Sequence, residues 1–129
     1  MGARSEGLIE GKLTERVIGA FFEVYNQLGY GFLENVYTAA LECVLSDCGH
    51  GVQREISVPI YFRDRQISVQ RVDMVVDEVL IVEVKSTPTL HPSAKRQLYN
   101  YLHATRKEVG LLFHFGQQPE FHRVVVSRR

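Results

Sequence analysis

A chain of 129 residues, with 45% hydrophobic and 23% charged side chains, has the composition of one globular domain. No stretch approaches the roughly 20 apolar residues that cross a bilayer, and the N-terminus lacks the apolar segment of a secretory signal, so we expect a cytoplasmic protein without a membrane partner. Fifteen basic residues balance fifteen acidic ones, which disfavours binding of nucleic acid by bulk charge but allows a local basic surface.

Two helices are predicted at the start of the chain. Residues 1–12 are polar and glycine-rich and read as a loose lead-in to a single domain at 13–129. Thr14 can cap a helix whose apolar positions recur at helical spacing as far as Leu28. A second helix follows from about 33 to 48 and ends at a pair of glycines.

The pattern then changes to that of β-strands. Alternating and β-branched residues predict strands at 52–62, 66–76, 79–86, 109–115 and 121–127. One further helix is predicted at 92–106, between the third and fourth strands. Pro59 indicates that the first strand lies at an edge of the sheet or contains a bulge. The order ααβββαββ predicts an α/β fold with helices flanking a β-sheet.

Three charged residues interrupt the apolar strands. Asp73 lies in the second strand, and Glu83 and Lys85 lie in the third. Ionised side chains are rarely buried unless they are paired or bind a metal. Glu83 and Lys85 are two residues apart, so a strand projects them from the same face.

The register of the hairpin that joins the second and third strands decides whether the two acids meet. If Asp77 and Glu78 alone formed the loop, the carboxylates would point to opposite faces. If Val76 pairs with Leu80, Asp73 lies opposite Glu83 with Cβ atoms roughly 5 Å apart. The second register needs an odd loop or a bulge, which is frequent beside active sites. We predict that the two carboxylates share a face.

Two adjacent carboxylates stay ionised only with a cation between them, and oxygen ligands of this kind suit Mg²⁺ or Mn²⁺. The carbonyl group of Val84 is placed to be a further ligand. Lys85 could orient or deprotonate an attacking water, or offset charge on a phosphate. The alternative is a salt bridge between Lys85 and an acid in an inert sheet.

Two helical pairs carry further candidates. Gln97 and Tyr101 are four residues apart on the third helix, so they share a face. Gln97 could hydrogen-bond a phosphate or the lysine, and Tyr101 could stack or donate a hydrogen bond. Glu34 and Tyr37, within the segment that begins at Gly31, share one side of the second helix. The alternatives are a solvated Gln97 beside a core Tyr101, and a Glu34 that only complements the helix dipole.

Together these residues resemble the PD-(D/E)XK nuclease superfamily and, more closely, the small GxxExxY proteins assigned to it, through Gly31, Glu34 and Tyr37. The resemblance implies a restriction-endonuclease-like core with a mixed, four-stranded central sheet. It implies that Asp73 and Glu83 bind metal, that Glu34 completes the metal site and that Lys85 is catalytic. Gln97 and Tyr101 match a Gln-x-x-x-Tyr element, and Val72 replaces the name-giving proline, a position that bears no ligand.

The function expected from this resemblance is Mg²⁺-dependent hydrolysis of DNA, in repair, recombination or defence. Two alternatives remain open: a non-catalytic nucleic-acid- or protein-binding module that keeps the fold, and hydrolysis of another phosphate ester. A homodimer is a further expectation, because many nucleases cut two strands with two sites. Phe113, Phe115 and Phe121 could supply its apolar patch, although core positions suit them better.

Overall fold

The computed structural model describes residues 9–127, so residues 1–8 of the expected lead-in lie outside the described range. The elements follow the predicted order and are α1 (Gly11–Leu28), α2 (Glu34–Asp47), β1 (Val52–Phe62), β2 (Arg65–Val76), β3 (Leu80–Lys85), α3 (Ala94–Thr105), β4 (Val109–Phe115) and β5 (Pro119–Val125). Within residues 9–127, no helix has the length and apolar character needed to span a membrane.

The first helix begins earlier than predicted, and Thr14 is not its cap. Thr14 is buried inside α1, where its hydroxyl group donates to the carbonyl oxygen of Gly11 at 3.0 Å. Glu10, in the left-handed conformation, takes the cap position instead. The prediction failed because a threonine hydroxyl can bond to a carbonyl of the preceding turn as well as to a free N–H.

The five strands form one mixed sheet in the order β1-β2-β3-β4-β5. β3 and β4 are parallel, whereas the other neighbours are antiparallel. The sheet has one strand more than the resemblance implied, because β5 pairs with β4 from Pro119 opposite Phe115 to Val125 opposite Val109. α3 forms the crossover that a parallel pair requires, so the carboxyl ends of β3 and β4 lie at the same edge of the sheet.

Helices cover both faces of the centre of the sheet. Leu80, Val82 and Val84 of β3 pack in the core beneath α1 and α2, and Ile81 packs in the core beneath α3. Every residue from 80 to 84 is therefore buried, as expected for a strand that is covered on two faces. Glu83 lies within this buried run, so its carboxylate is held in the protein interior.

The β1–β2 hairpin is longer than its contact with β3, because β3 pairs only with residues 74–76 of β2. On one side of Glu55, which has φ 55°, the inward side chains of β1 pack beneath α1 and α2, and on the other side they pack beneath α3. Met74 packs in the core beneath α1 and α2, whereas Val72, two residues earlier, packs beneath α3. Residues two apart in a regular strand share a face. The regular alternation of side chains in β2 is therefore interrupted at Asp73.

The aromatic residues considered for a dimer patch belong mainly to the core. Phe113 and Phe115 are fully buried, and the ring of Phe113 stacks on that of Phe21 with centroids 4.4 Å apart. Phe121 is partly exposed and packs edge-on against Phe22. These three phenylalanines therefore do not form an exposed apolar patch.

Candidate active site

The register that brings the acids together is confirmed. Val76 pairs with Leu80, and the ladder continues inward as far as Met74 opposite Val82. The loop between the strands has three residues, 77–79, of which Asp77 and Glu78 adopt positive φ. This is the odd loop that the predicted register requires.

Asp73 and Glu83 each bond to the other's strand where the ladder ends. The N–H of Asp73 donates to Oε2 of Glu83 at 2.9 Å, and the N–H of Val84 donates to Oδ2 of Asp73 at 2.7 Å. Two side chains thus replace the backbone carbonyls that would otherwise pair β2 with β3. The carboxylates are fixed next to each other by main-chain bonds rather than by flexible contacts.

Burial makes this pair costly to ionise. Glu83 is 5% exposed, and its burial, followed by the charge of Asp73, raises its pKa to about 8. Burial also raises the pKa of Asp73, although the hydrogen bond from Val84 and the charge of Lys85 oppose the shift. Near neutral pH and without a cation, the pair therefore retains a proton.

Lys85 is the last residue of β3, and its positive charge partly offsets the rise in the pKa of both Asp73 and Glu83. Its partner across the parallel ladder is the buried His114. Nε2 of His114 donates to the carbonyl oxygen of Thr87 at 2.7 Å, because a carbonyl can only accept. The turn that follows Lys85 is thereby anchored to β4, a role of His114 that sequence reasoning missed.

Glu34 approaches the site from the face of the sheet that α1 and α2 cover. It is the first residue of α2, and its charge contributes to the raised pKa of Glu83. With Asn35 and Asp73 it lines a cleft of about 200 Å³. The start of α2 is thus the third source of carboxylate oxygen near the pair.

Tyr37 does not fit the predicted contact with substrate. It is fully buried and stacks on Phe115, with ring centroids 4.0 Å apart. Its hydroxyl group donates to the carbonyl oxygen of Gly29 at 2.7 Å and accepts from the N–H of Phe32 at 3.2 Å. Tyr37 therefore holds the loop before α2. Gly31 has φ 108° in that loop, a conformation that favours glycine.

The two α3 candidates occupy different positions. Tyr101 is 7% exposed, and burial and then the charges of Glu83 and Asp73 raise its pKa. Its hydroxyl group therefore lies within the field of the carboxylates and stays protonated. Gln97 is exposed one turn earlier and lines a cleft together with Tyr101.

The donor set fits a divalent cation with oxygen ligands. Among residues 9–127, no three His, Cys, Asp or Glu side chains are already gathered into a metal cluster. A residue in a β-strand points its N–H and C=O to the same neighbour, so the carbonyl group of Val84 is directed, like its N–H, towards Asp73. The oxygens of Asp73, Glu83 and Val84 suit Mg²⁺ or Mn²⁺, with Glu34 nearby.

Arg54 is a site residue that the sequence reasoning missed. It donates to Oε1 of Glu42 at 2.9 Å and to Oγ1 of Thr38 at 3.0 Å, and its charge lowers the pKa of Asp73. It also lines the cleft that Glu34 shares with Asp73. In the sequence it is in phase with the later inward residues of β1, but the exchange of faces at Glu55 turns it towards α2 rather than α3.

Comparison with known proteins supports this description of the fold. No curated protein matches the chain. The crystal structure of SSO0001 superposes with a TM-score of 0.54 at 18% identity, over 74% of this chain and 50% of that chain, which shows a shared fold. The present chain therefore spans about half the length of that protein. The model of the PD-(D/E)XK nuclease superfamily matches residues 11–124, and the chain belongs to this superfamily.

Proposed function

We propose that this protein is a Mg²⁺- or Mn²⁺-dependent nuclease that hydrolyses phosphodiester bonds of DNA, with a role in repair, recombination or defence. The observation that carries the proposal is the reciprocal bonding of Asp73 and Glu83 beside Lys85. An inert salt bridge would hold ionised acids, whereas here the pKa of Glu83 is raised to about 8 despite Lys85. A buried pair of this kind is typical of a functional site.

We also infer that the chain belongs to the GxxExxY group within the superfamily. Gly31 permits the turn of the loop before α2, and Tyr37 locks that loop through Gly29 and Phe32. Glu34, between them, begins the helix next to the carboxylates. The spacing of the motif thus has a physical basis: two residues build the turn that presents the third.

Nucleases of this superfamily generally use divalent metal ions. Asp73, Glu83 and the carbonyl group of Val84 would hold the ion, with Glu34 completing the set. When bound, the cation supplies polarisation of the phosphate and favours deprotonation of the attacking water. The pair must release its proton before both carboxylates can act as ligands.

The remaining side chains suit hydrolysis of a phosphodiester. Water attacks phosphorus, the bond from phosphorus to one sugar oxygen breaks, and that oxygen takes up a proton. The ammonium group of Lys85 stabilises the added negative charge on the phosphate oxygens. The hydroxyl group of Tyr101 remains a donor because its pKa is raised, so it can bond to a phosphate oxygen. Gln97, one turn away, can bind the adjoining phosphate.

The test is cleavage of supercoiled plasmid, duplex and single-stranded DNA with Mg²⁺, Mn²⁺ or EDTA. Wild type should cut only with metal, and Glu83→Gln should lose cleavage by about 10²-fold or more. Glu15→Gln, which alters an exposed carboxylate of α1, is the matched control and should cut like wild type.

Cleavage that survives in Glu83→Gln would indicate a contaminating nuclease and contradict the proposal. Absence of cleavage, together with absence of metal binding, would favour the alternative of a binding module that keeps the nuclease fold. RNA and a nucleoside triphosphate belong in the same assay, because preferential turnover of either would replace DNA as the substrate.

A further inference from the structure

A second cleft lies between the β1–β2 hairpin and α3 and shares Tyr101 with the candidate active site. Its volume is about 620 Å³, within the range of about 300–1,000 Å³ of small-molecule sites. Its lining includes Ile60, Tyr61, Gln70, Gln97, Asn100 and His103. Tyr101 also lines it and lies in the field of the carboxylates. Tyr101 therefore connects this cleft to the carboxylates.

The chemistry of this lining suits a nucleobase. Gln70 and Asn100 carry side-chain amides, which both donate and accept hydrogen bonds, as base edges do. Tyr61 is 61% exposed and offers a ring face at the mouth of the cleft. Bases in a duplex have their pairing edges and ring faces occupied, so amides and an aromatic ring can act together only on an unpaired base.

The tip of the hairpin adds positive charge to this surface. The turn between Tyr61 and Gln66 carries two arginines and one aspartate, although the protein as a whole is neutral. The guanidinium of Arg63 lies over the ring of Phe62, 5.3 Å from its centroid, and Phe62 is 59% exposed. Exposed aromatic rings among arginines complement the bases and phosphates of a single strand.

The hairpin also connects this tip to the carboxylates. β2 runs from Arg65 at the tip to Asp73, eight residues away, which is roughly 26 Å at a rise of about 3.3 Å per residue. A nucleic-acid strand that lies along β2 would pass from the basic tip, across the cleft, to the candidate active site.

We infer that the cleft and the hairpin tip bind unpaired nucleotides next to the cleaved bond, so that the substrate is nucleic acid with a single-stranded segment. The cleavage part of this inference rests on the proposed nuclease function, but the binding part does not. Tyr61 stacks on the base, Asn100 and Gln70 bond to its edge, and Arg63 and Arg65 neutralise flanking phosphates.

The experiment measures fluorescence anisotropy of a labelled oligothymidylate and of a duplex of equal length, in EDTA so that nothing is cut. Wild type should bind the single strand more tightly than the duplex. Tyr61→Ala should weaken that binding about tenfold, and Asn100→Ala by a few-fold. Val69→Ala alters an exposed apolar side chain of the same hairpin outside the cleft lining, and it should bind like wild type.

Tighter binding of the duplex, or equal losses in Tyr61→Ala and Val69→Ala, would overturn the inference. Thermal unfolding of each variant separates lost binding from lost folding. If the single strand binds through Tyr61 but is never cut with metal, the nuclease proposal fails and this inference stands. If duplex is cut at an unchanged rate in Tyr61→Ala and the single strand does not bind, this inference fails and the nuclease proposal stands.

Discussion

The hydroxyl group of Tyr37 donates to the carbonyl oxygen of Gly29 at 2.7 Å, and this bond closes the loop that leads into α2. The same oxygen accepts from the N–H of Phe32, so the hydroxyl group of one buried tyrosine holds the backbone of this loop at two points. Glu34 follows directly and begins the helix beside Glu83. The position of a candidate ligand therefore depends on a residue that does not itself enter the site.

Replacing Tyr37 with Phe should destabilise the protein by about 1–3 kcal/mol, because it leaves the carbonyl group of Gly29 and the N–H of Phe32 without this partner. Urea unfolding measures the loss. Tyr30→Phe alters an exposed tyrosine nearby and should stay within about 0.5 kcal/mol of wild type. Equal stability of the two variants would show that the buried hydroxyl group does not hold the loop.

Glu83 should make the metal-free protein less stable as the pH rises. Its pKa is about 8 in the folded protein against 4.5 as the ordinary value, so the folded state binds the proton more tightly. This contribution is complete below about pH 4.5 and is lost as the pH rises through 8. The free energy of unfolding of wild type in EDTA should fall across this window by a few kcal/mol more than that of Glu83→Gln. Parallel curves for the two proteins would contradict the shift, and Glu15→Gln should follow wild type.

The arrangement of the two acids was predictable because it depends on register. An apolar strand that contains Glu83 and Lys85, next to one that contains Asp73, has few ways to place its charges. Pairing of Val76 with Leu80 is the register that lets the acids meet, and the sheet adopts it. Burial on both faces of β3 follows from its continuous apolar sequence.

The surroundings of the acids were less predictable because they depend on tertiary packing and on one unusual dihedral angle. The three-residue spacing of Glu34 and Tyr37 indicates a shared helix side, but not that Phe115 covers Tyr37. Glu55 adopts a positive φ, which few residues other than glycine, asparagine and aspartate favour, so nothing in the sequence marks the exchange of faces beside Asp73.

Asp73→Asn should abolish binding of Mg²⁺ while preserving the fold. The amide oxygen can still accept from the N–H of Val84, and removal of the charge relieves the repulsion on Glu83. Metal-free stability at pH 8 should therefore equal or exceed that of wild type. Free Mg²⁺ at about ten times Kd should stabilise wild type by about 1.4 kcal/mol and the variant not at all. Calorimetric titration gives Kd, and thermal unfolding with and without metal gives the shift. An unfolded variant would instead support a structural salt bridge.

Lys85→Ala should separate metal binding from turnover. The ammonium group acts on the phosphate rather than on the cation, so metal should still bind while the rate of DNA cleavage falls by about 10²- to 10⁴-fold. Because the charge of Lys85 lowers the pKa of Asp73 and of Glu83, metal binding by the variant should also require a higher pH. Lys12→Ala alters an exposed lysine of α1 and serves as the control. Lys85→Arg, which keeps the positive charge, should recover part of the rate. Unchanged turnover in Lys85→Ala would remove this residue from the mechanism, and loss of metal binding at every pH would assign it to the structure of the site instead.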